Sequence, residues 1–168
     1  MPGQTLFCDG SFNPQLKIGV GAVLLLSGDE WEQSKEGDTF AIRTQVMKAS
    51  SIARVELMTV IWALSLPGLL PGVQLFTDSK TIEGLSGRRE KLEAVRFQSQ
   101  RTGLRLANSD LYEEFFRVGE RLRPRVTWIK GHSPRSGRSE YQRVFGFVDR
   151  QARKVLREIG SSGKAFRV

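Results

Sequence analysis

Asp9, Glu56, Asp78 and Asp149 are the residues of this chain best placed to do chemistry. Asp9 closes an apolar, strand-like run in Thr5-Leu6-Phe7-Cys8-Asp9-Gly10-Ser11. Glu56 sits inside an apolar helix in Ala53-Arg54-Val55-Glu56-Leu57-Met58. Asp78 closes a second strand in Val73-Gln74-Leu75-Phe76-Thr77-Asp78-Ser79, and Asp149 opens a late helix in Phe147-Val148-Asp149-Arg150-Gln151-Ala152. An acid inside an apolar segment is costly to bury unpaired. Four of them suggest a shared cation, and ligation by carboxylates alone suits magnesium or manganese. Each acid has a plainer reading when taken singly. Asp9 before Gly-Ser is a turn former, and Asp78 and Asp149 are helix N-caps. Glu56 is the hardest to dismiss, because it lies within an apolar helix.

The elements that must position these acids follow from the pattern of apolar residues. Thr5 to Cys8 and Ile18 to Leu26 read as strands, the second ending at the turn Ser27-Gly28-Asp29. A third strand is expected between Glu30 and Met47, completing an antiparallel meander. Ser50 and Ser51 are N-cap candidates for a helix whose stripe is Val55, Met58, Trp62 and Leu66, stopped by Pro67-Gly68. Val73 to Thr77 is a short strand, and a helix starts at Ser79. Gly87 to Leu106 holds Arg88, Arg89, Lys91, Arg96, Arg101 and Arg105, and reads as a solvated basic helix and loop. Asn108-Ser109-Asp110 caps a helix with Leu111, Phe115, Val118 and Leu122 on one face, ended by Pro124. Val126 to Ile129 is a strand. A polar stretch from Lys130 to Arg143 leads to a last helix over Phe145 to Ile159. Strands joined through helices make the later part of the sheet parallel. Gly19-Val20-Gly21 resembles the start of a dinucleotide fingerprint, but it lies within a strand and the third glycine position is Leu24.

At 168 residues the chain can bury a core but not build two full domains. An apolar fraction of 39% with 10 Phe and 3 Trp marks a folded protein. The formal charge of +8 favours a polyanionic partner, of which nucleic acid is the commonest, over a basic surface with no dedicated partner. Cys8 is the only cysteine, so an internal disulfide and Cys-x-x-Cys zinc sites are excluded. Its side chain should lie on the strand face opposite Asp9, as a buried structural thiol. Met1-Pro2-Gly3-Gln4 lacks the basic and apolar regions of a signal peptide, and the longest apolar run, Val20 to Leu26, is too short to span a membrane. A cytoplasmic monomer is expected.

From Thr5 to about Leu156 the sequence resembles type I ribonuclease H. The resemblance rests on Asp9-Gly10-Ser11, on Glu56-Leu57-Met58 with Ala63-Leu64, on Thr77-Asp78-Ser79, on Lys130-Gly131-His132, and on Val148-Asp149 with Ala152-Arg153. Each tripeptide is weak alone; all five in order on suitable elements are a strong signal. The resemblance implies an α/β ribonuclease H-like fold, a mixed five-stranded sheet flanked by helices, with a catalytic domain over 1–160 and a flexible tail over 161–168. It implies that Asp9, Glu56, Asp78 and Asp149 bind two Mg2+ ions, Mn2+ substituting, and that the RNA strand of an RNA–DNA hybrid is cut to 5′-phosphate and 3′-hydroxyl ends. His132, on a mobile loop, would assist proton transfer or product release. Ser11, Asn13, Ser50, Ser51, Arg54, Ser79, Arg88, Arg89 and Lys91 are the expected substrate contacts.

Three departures from that family stand out. A Thr-Asn-Asn-Arg type run usually precedes the helix glutamate and touches the hybrid near the 2′-hydroxyls; here the run is Ser51-Ile52-Ala53-Arg54-Val55. The stretch from His132 to Asp149 is long and carries Arg135, Arg138 and Arg143, as a basic lid or a tolerated insertion. The basic protrusion lacks tryptophan, with Phe97 its only aromatic residue from Arg88 to Arg105. The alternatives are a nuclease of the same fold with another nucleic-acid target, or a catalytically silent hybrid-binding module.

Overall fold

A computed structural model of the chain describes residues 3–28, 30, 40–131 and 137–162. Strand β1 (Thr5–Asn13) and strand β2 (Ile18–Leu26) form an antiparallel pair with Asp9 opposite Ala22 and Gly10 opposite Gly21. Their turn is closed by Asn13, whose Oδ1 accepts from the Gln15 and Leu16 amides at 3.0 and 3.1 Å, and by Lys17 in the left-handed region at φ 53°. β1 therefore runs past Asp9 instead of ending there. Strand β3 (Arg43–Lys48) pairs antiparallel with β2, at the end of the span expected for the third strand and one residue past it. Strand β4 (Gln74–Thr77) runs parallel to β1, and strand β5 (Arg125–Trp128) parallel to β4. The order is β3-β2-β1-β4-β5, so β1 is central.

Helix α1 (Ile52–Leu64) starts where the Ser51 hydroxyl accepts the Arg54 amide at 3.2 Å; of the two candidate caps, Ser51 does the capping. The expected stripe is only partly the buried face. Val55, Leu57, Val60, Ala63 and Leu64 are buried, whereas Met58 and Trp62 are half-buried. The helix is covered on two sides, by β1 and β2 and by helix α4 (Ser109–Leu122), so period alone does not mark its core face. Alternation along β2 explains the glycines that resemble a nucleotide fingerprint. Gly19 and Gly21 face α1, and a Cβ on either would collide with Val55 or Thr59. Their absence lets α1 sit close on the sheet.

α4 matches its sequence pattern: Phe115, Val118 and Leu122 are buried and Leu111 half-buried. It ends at Arg123, left-handed at φ 44°, just before Pro124. The basic segment is not simply solvated. Helix α2 (Lys80–Glu83) and Leu85 lead into it, a 3-10 turn (Ser86–Arg88) and helix α3 (Arg89–Ala94) form its first part, and Leu92 and Phe97 pin it to the core.

Helix α5 (Glu140–Ser161) begins five residues earlier than expected, at a capping box. The Ser139 hydroxyl accepts the Gln142 amide at 3.2 Å, and Gln142 Oε1 accepts the Ser139 amide at 2.9 Å. Asp149 is consequently inside the helix, not at its opening. Ser161 is still helical, and residues 163–168 of the expected tail lie outside the described residues. α5 covers one sheet face over Phe7, Val20 and Phe76; α1 and α4 cover the other over Leu6, Cys8 and Leu75. Cys8 is buried on the α1 face, where burial and then the Asp9 charge push its thiol pKa up.

Candidate active site

Asp9 and Asp78 meet because β1 and β4 are neighbours and parallel. Phe7 pairs with Phe76 on strands roughly 4.8 Å apart, so two residues on, Asp9 within β1 lies beside Asp78 just past the carboxyl end of β4. Ligand sites of open α/β sheets form at such ends. Both belong to the strand face that α5 covers. Asp9 is only 6% exposed. Its Oδ1 accepts the Gly10 amide at 2.9 Å, and a hydrogen bond joins its carboxyl to that of Asp149. Asp149 reaches it from α5, where its Oδ1 also accepts Arg153 Nε at 3.1 Å. Glu56 comes from the first turns of α1, hydrogen-bonded to the Ser79 hydroxyl. Ser79 in turn caps α2, its Oγ accepting the Ile82 amide at 3.4 Å.

The electrostatics are those of anions held together. Asp9 is pushed far above the ordinary carboxylate range, first by burial, then by the Asp78 charge and by its bond and proximity to Asp149. Glu56 is raised by burial and by Asp78, against the Ser79 bond that favours its ionised form. Burial and mutual repulsion leave these carboxyls short of compensating positive charge.

That deficit, and a donor set of hard oxygens, fit a divalent cation. Among the described residues, however, no three Asp, Glu, His or Cys side chains are already arranged around one point as ligands of a single ion. The Asp9–Asp149 bond and the Asp149–Arg153 pair satisfy these groups in another way.

Several supports were not read from the sequence. Trp128 Nε1 donates to the Asp78 carbonyl at 3.0 Å, and Lys80 Nζ lies 4.4 Å from the Trp128 ring centroid. A Cβ at Gly131 would lie 2.9 Å from Asp78 Oδ2, so a side chain there would force the carboxylate to shift. The pairing of Thr77 with Trp128 is what brings Trp128 there, a long-range register with no local signal. A cavity of about 50 Å³ opens between Asp78, Gly131, Arg138, Asp149 and Arg150.

Of the residues expected from sequence, Asp9, Glu56, Asp78, Asp149 and Ser79 come together, and Ser11 shares the β1 face of Asp9. Asn13 serves the β1–β2 turn. Ser50 is exposed, and Ser51 is the α1 cap. Arg54 forms a forked pair with Asp110 at 3.0 and 2.6 Å and reaches Asn108 at 3.4 Å. Arg89 is held by Glu93 at 2.8 Å and Glu120 at 2.5 Å, over the Phe116 ring; Arg88 and Lys91 are exposed. His132 lies outside the described residues.

The RNase H family model matches residues 2–155. Among solved structures, the foamy viral protease–reverse transcriptase in complex with dsDNA is similar at a TM-score of 0.65 and 13% identity, over 91% of this chain and 93% of that one. The N-terminal RNase H domain of rv2228c from Mycobacterium tuberculosis, solved as a fusion with maltose-binding protein, gives 0.61 and 14%, over 98% and 100%. LC9-RNase H1, a type 1 RNase H with the type 2 active-site motif, gives 0.63 and 21%, over 92% and 72%. At these identities the structural likenesses speak for the fold. No curated protein matches the chain.

Proposed function

As the chain belongs to the RNase H family, we propose that it is a metal-dependent endonuclease that hydrolyses the RNA strand of RNA–DNA hybrids to 5′-phosphate and 3′-hydroxyl ends. The observation that carries this reading is the meeting of Asp9 and Asp78 on adjacent parallel strands, with Glu56 and Asp149 joining them from two helices. Such a cluster of oxygens is suited to phosphodiester chemistry, which concentrates negative charge at the reacting phosphate.

Asp9, Glu56, Asp78 and Asp149 would hold two divalent cations, Mg2+ or Mn2+, which when bound supply charge neutralisation and an activated water for in-line displacement. The residues prepare this site in separable ways. Asp9, which holds its proton above the ordinary carboxylate range, must give it up before it can ligate. Ser79 orients Glu56 and favours its ionised form. Trp128 anchors the backbone at Asp78, and Arg153 steers Asp149. His132 assists proton transfer or product release. Ser11, Ser50 and Ser51, with backbone groups at the start of α1, read the RNA strand, and Arg88 and Lys91 grip the other strand. Arg54 acts through its lock on Asp110 as much as by direct contact.

Cleavage of a labelled hybrid with and without Mg2+ tests the reading. Asp78→Asn is expected to lose nearly all cleavage while keeping its circular dichroism spectrum. Cleavage at the wild-type rate by that variant, or full activity after stripping divalent cations, defeats the proposal. Ile52 and Ala53 favour a second reading, a nuclease of the same fold with another target, because neither side chain can hydrogen-bond a 2′-hydroxyl. Faster cutting of double-stranded DNA than of hybrid would select it.

A further inference from the structure

We propose that the outer face of α5 carries a second nucleic-acid site, a groove for an unpaired strand that continues from the active site. A groove of about 570 Å³ runs along this helix, with Phe40 and Phe147 on its wall and Arg150, Arg153, Lys154 and Arg157 along its length. The four cations recur at helical spacings of three and four residues, so they form one stripe. Arg150, Lys154 and Arg157 are exposed. Among the described residues no acid pairs with them; Arg153 alone is committed, to Asp149. A stripe of exposed cations beside aromatic rings is how proteins track a single-stranded backbone while stacking its bases.

The aromatic part is organised for flat partners. Phe147 lies 5.4 Å from Phe40 between centroids, and the Arg150 guanidinium lies 4.6 Å from the Phe147 centroid. An arginine laid on a ring presents its other face to a base. A duplex hides its base faces and would use only the cations. The aromatic wall therefore favours an unpaired strand.

The groove is continuous with the catalytic cluster. Arg150 lines both this groove and the small cavity beside Asp78 and Asp149, and Arg153 touches Asp149 directly. Through Arg150 the two are contiguous, so a strand leaving the cluster meets the groove next. This last point rests on the proposed nuclease reading; the groove's affinity for an unpaired strand does not.

The test is equilibrium binding of fluorescently labelled single-stranded DNA to the full chain across a salt series. DNA is chosen because the proposed reaction cuts RNA, so binding is read without turnover. Lys154→Ala with Arg157→Ala should weaken binding and lower the log–log salt slope by roughly 0.7 for each lost phosphate contact. Arg121→Ala with Arg125→Ala removes the same charge elsewhere and should leave the slope unchanged. Phe40→Ala should weaken binding with no change of slope. Equal losses from both arginine–lysine and arginine–arginine pairs would show general charge attraction and overturn the proposal, as would wild-type affinity in the Lys154, Arg157 variant. Circular dichroism of each variant excludes misfolding as the cause. Hybrid cleavage by the unmodified chain is scored separately. Its absence would remove the nuclease reading and leave the groove, whereas intact cleavage without groove binding removes the groove alone.

Discussion

A carboxyl that is buried among other carboxyls titrates late, and at Asp9 this sets how the metal-free protein responds to pH. In the unfolded chain Asp9 ionises in the ordinary carboxylate range, roughly pH 4. In the folded chain it holds its proton well above that range. Below the unfolded value both states are protonated and the group contributes nothing. As pH rises from there, only the unfolded chain ionises, so folding loses stability until the folded pKa is passed. Glu56 has the same sign. Asp9→Asn is therefore expected to raise Tm in a chelator at pH 8, with the gain shrinking towards pH 4. A lowered Tm at every pH would mean that the Asp9–Asp149 bond stabilises more than the repulsion costs. At the other end of the chemistry, His132→Ala should slow turnover by no more than about 10²–10⁴-fold, the range of general acid–base help, where Asp78→Asn removes it.

At the scale of elements, two devices hold the acids in register. The first is the close seat of α1 over Gly19 and Gly21, which fixes how near the helix bearing Glu56 lies to the sheet. Gly21→Val should force α1 away from β2. Cleavage and Tm should both fall, because overpacking at such a contact costs about 1–3 kcal/mol. A variant that lost Tm but kept its kcat would show that Glu56 tolerates the displacement. The second is the Ser139–Gln142 capping box, which starts α5 two and a half turns before Asp149. Ser139→Ala should cost about 1 kcal/mol, read in urea unfolding, and leave the metal-dependent step nearly intact. The box was legible as Ser-x-x-Gln, but the polar run around it hides it from a search guided by apolar period. The α1 stripe misleads for the opposite reason: a helix covered on two sides has too many apolar residues for period to single out one face.

At the scale of the molecule, two surfaces concentrate cations that a nucleic acid could meet. One is the α2–α3 segment, pinned by Leu85, Leu92 and Phe97, and the other is the outer stripe of α5. Arg89 is held by Glu93 and Glu120 and Lys80 lies over Trp128, so Arg88 and Lys91 are the residues of that segment left to meet a phosphate backbone. Arg88→Ala with Lys91→Ala should flatten the salt dependence of hybrid binding by roughly one unit per lost contact, measured with blunt hybrid. Adding Arg89→Ala should lower stability more than the slope. An unchanged slope in the double variant would leave that surface as a solvated face. No helix among the described residues is long and apolar enough to cross a membrane.

The sequence by itself determined the class of fold and the strand and helix order, and it singled out four acids as candidates. These are local matters: apolar period writes strands and helices, and an acid set into an apolar run marks itself by the cost of burying it. Only the tertiary structure decided what the acids face. The Phe7–Phe76 register makes neighbours of Asp9 and Asp78, residues sixty-nine positions apart. Whether Arg54 and Arg89 meet a substrate or an internal acid was likewise undetermined by spacing, since Asp110 and Glu120 arrive on α4 from a distant part of the chain. Glycine between strand residues reads as weakness until a helix is seen resting on it. In each case the deciding quantity is a distance between segments that the chain brings together only by folding, and local pattern carries no measure of it.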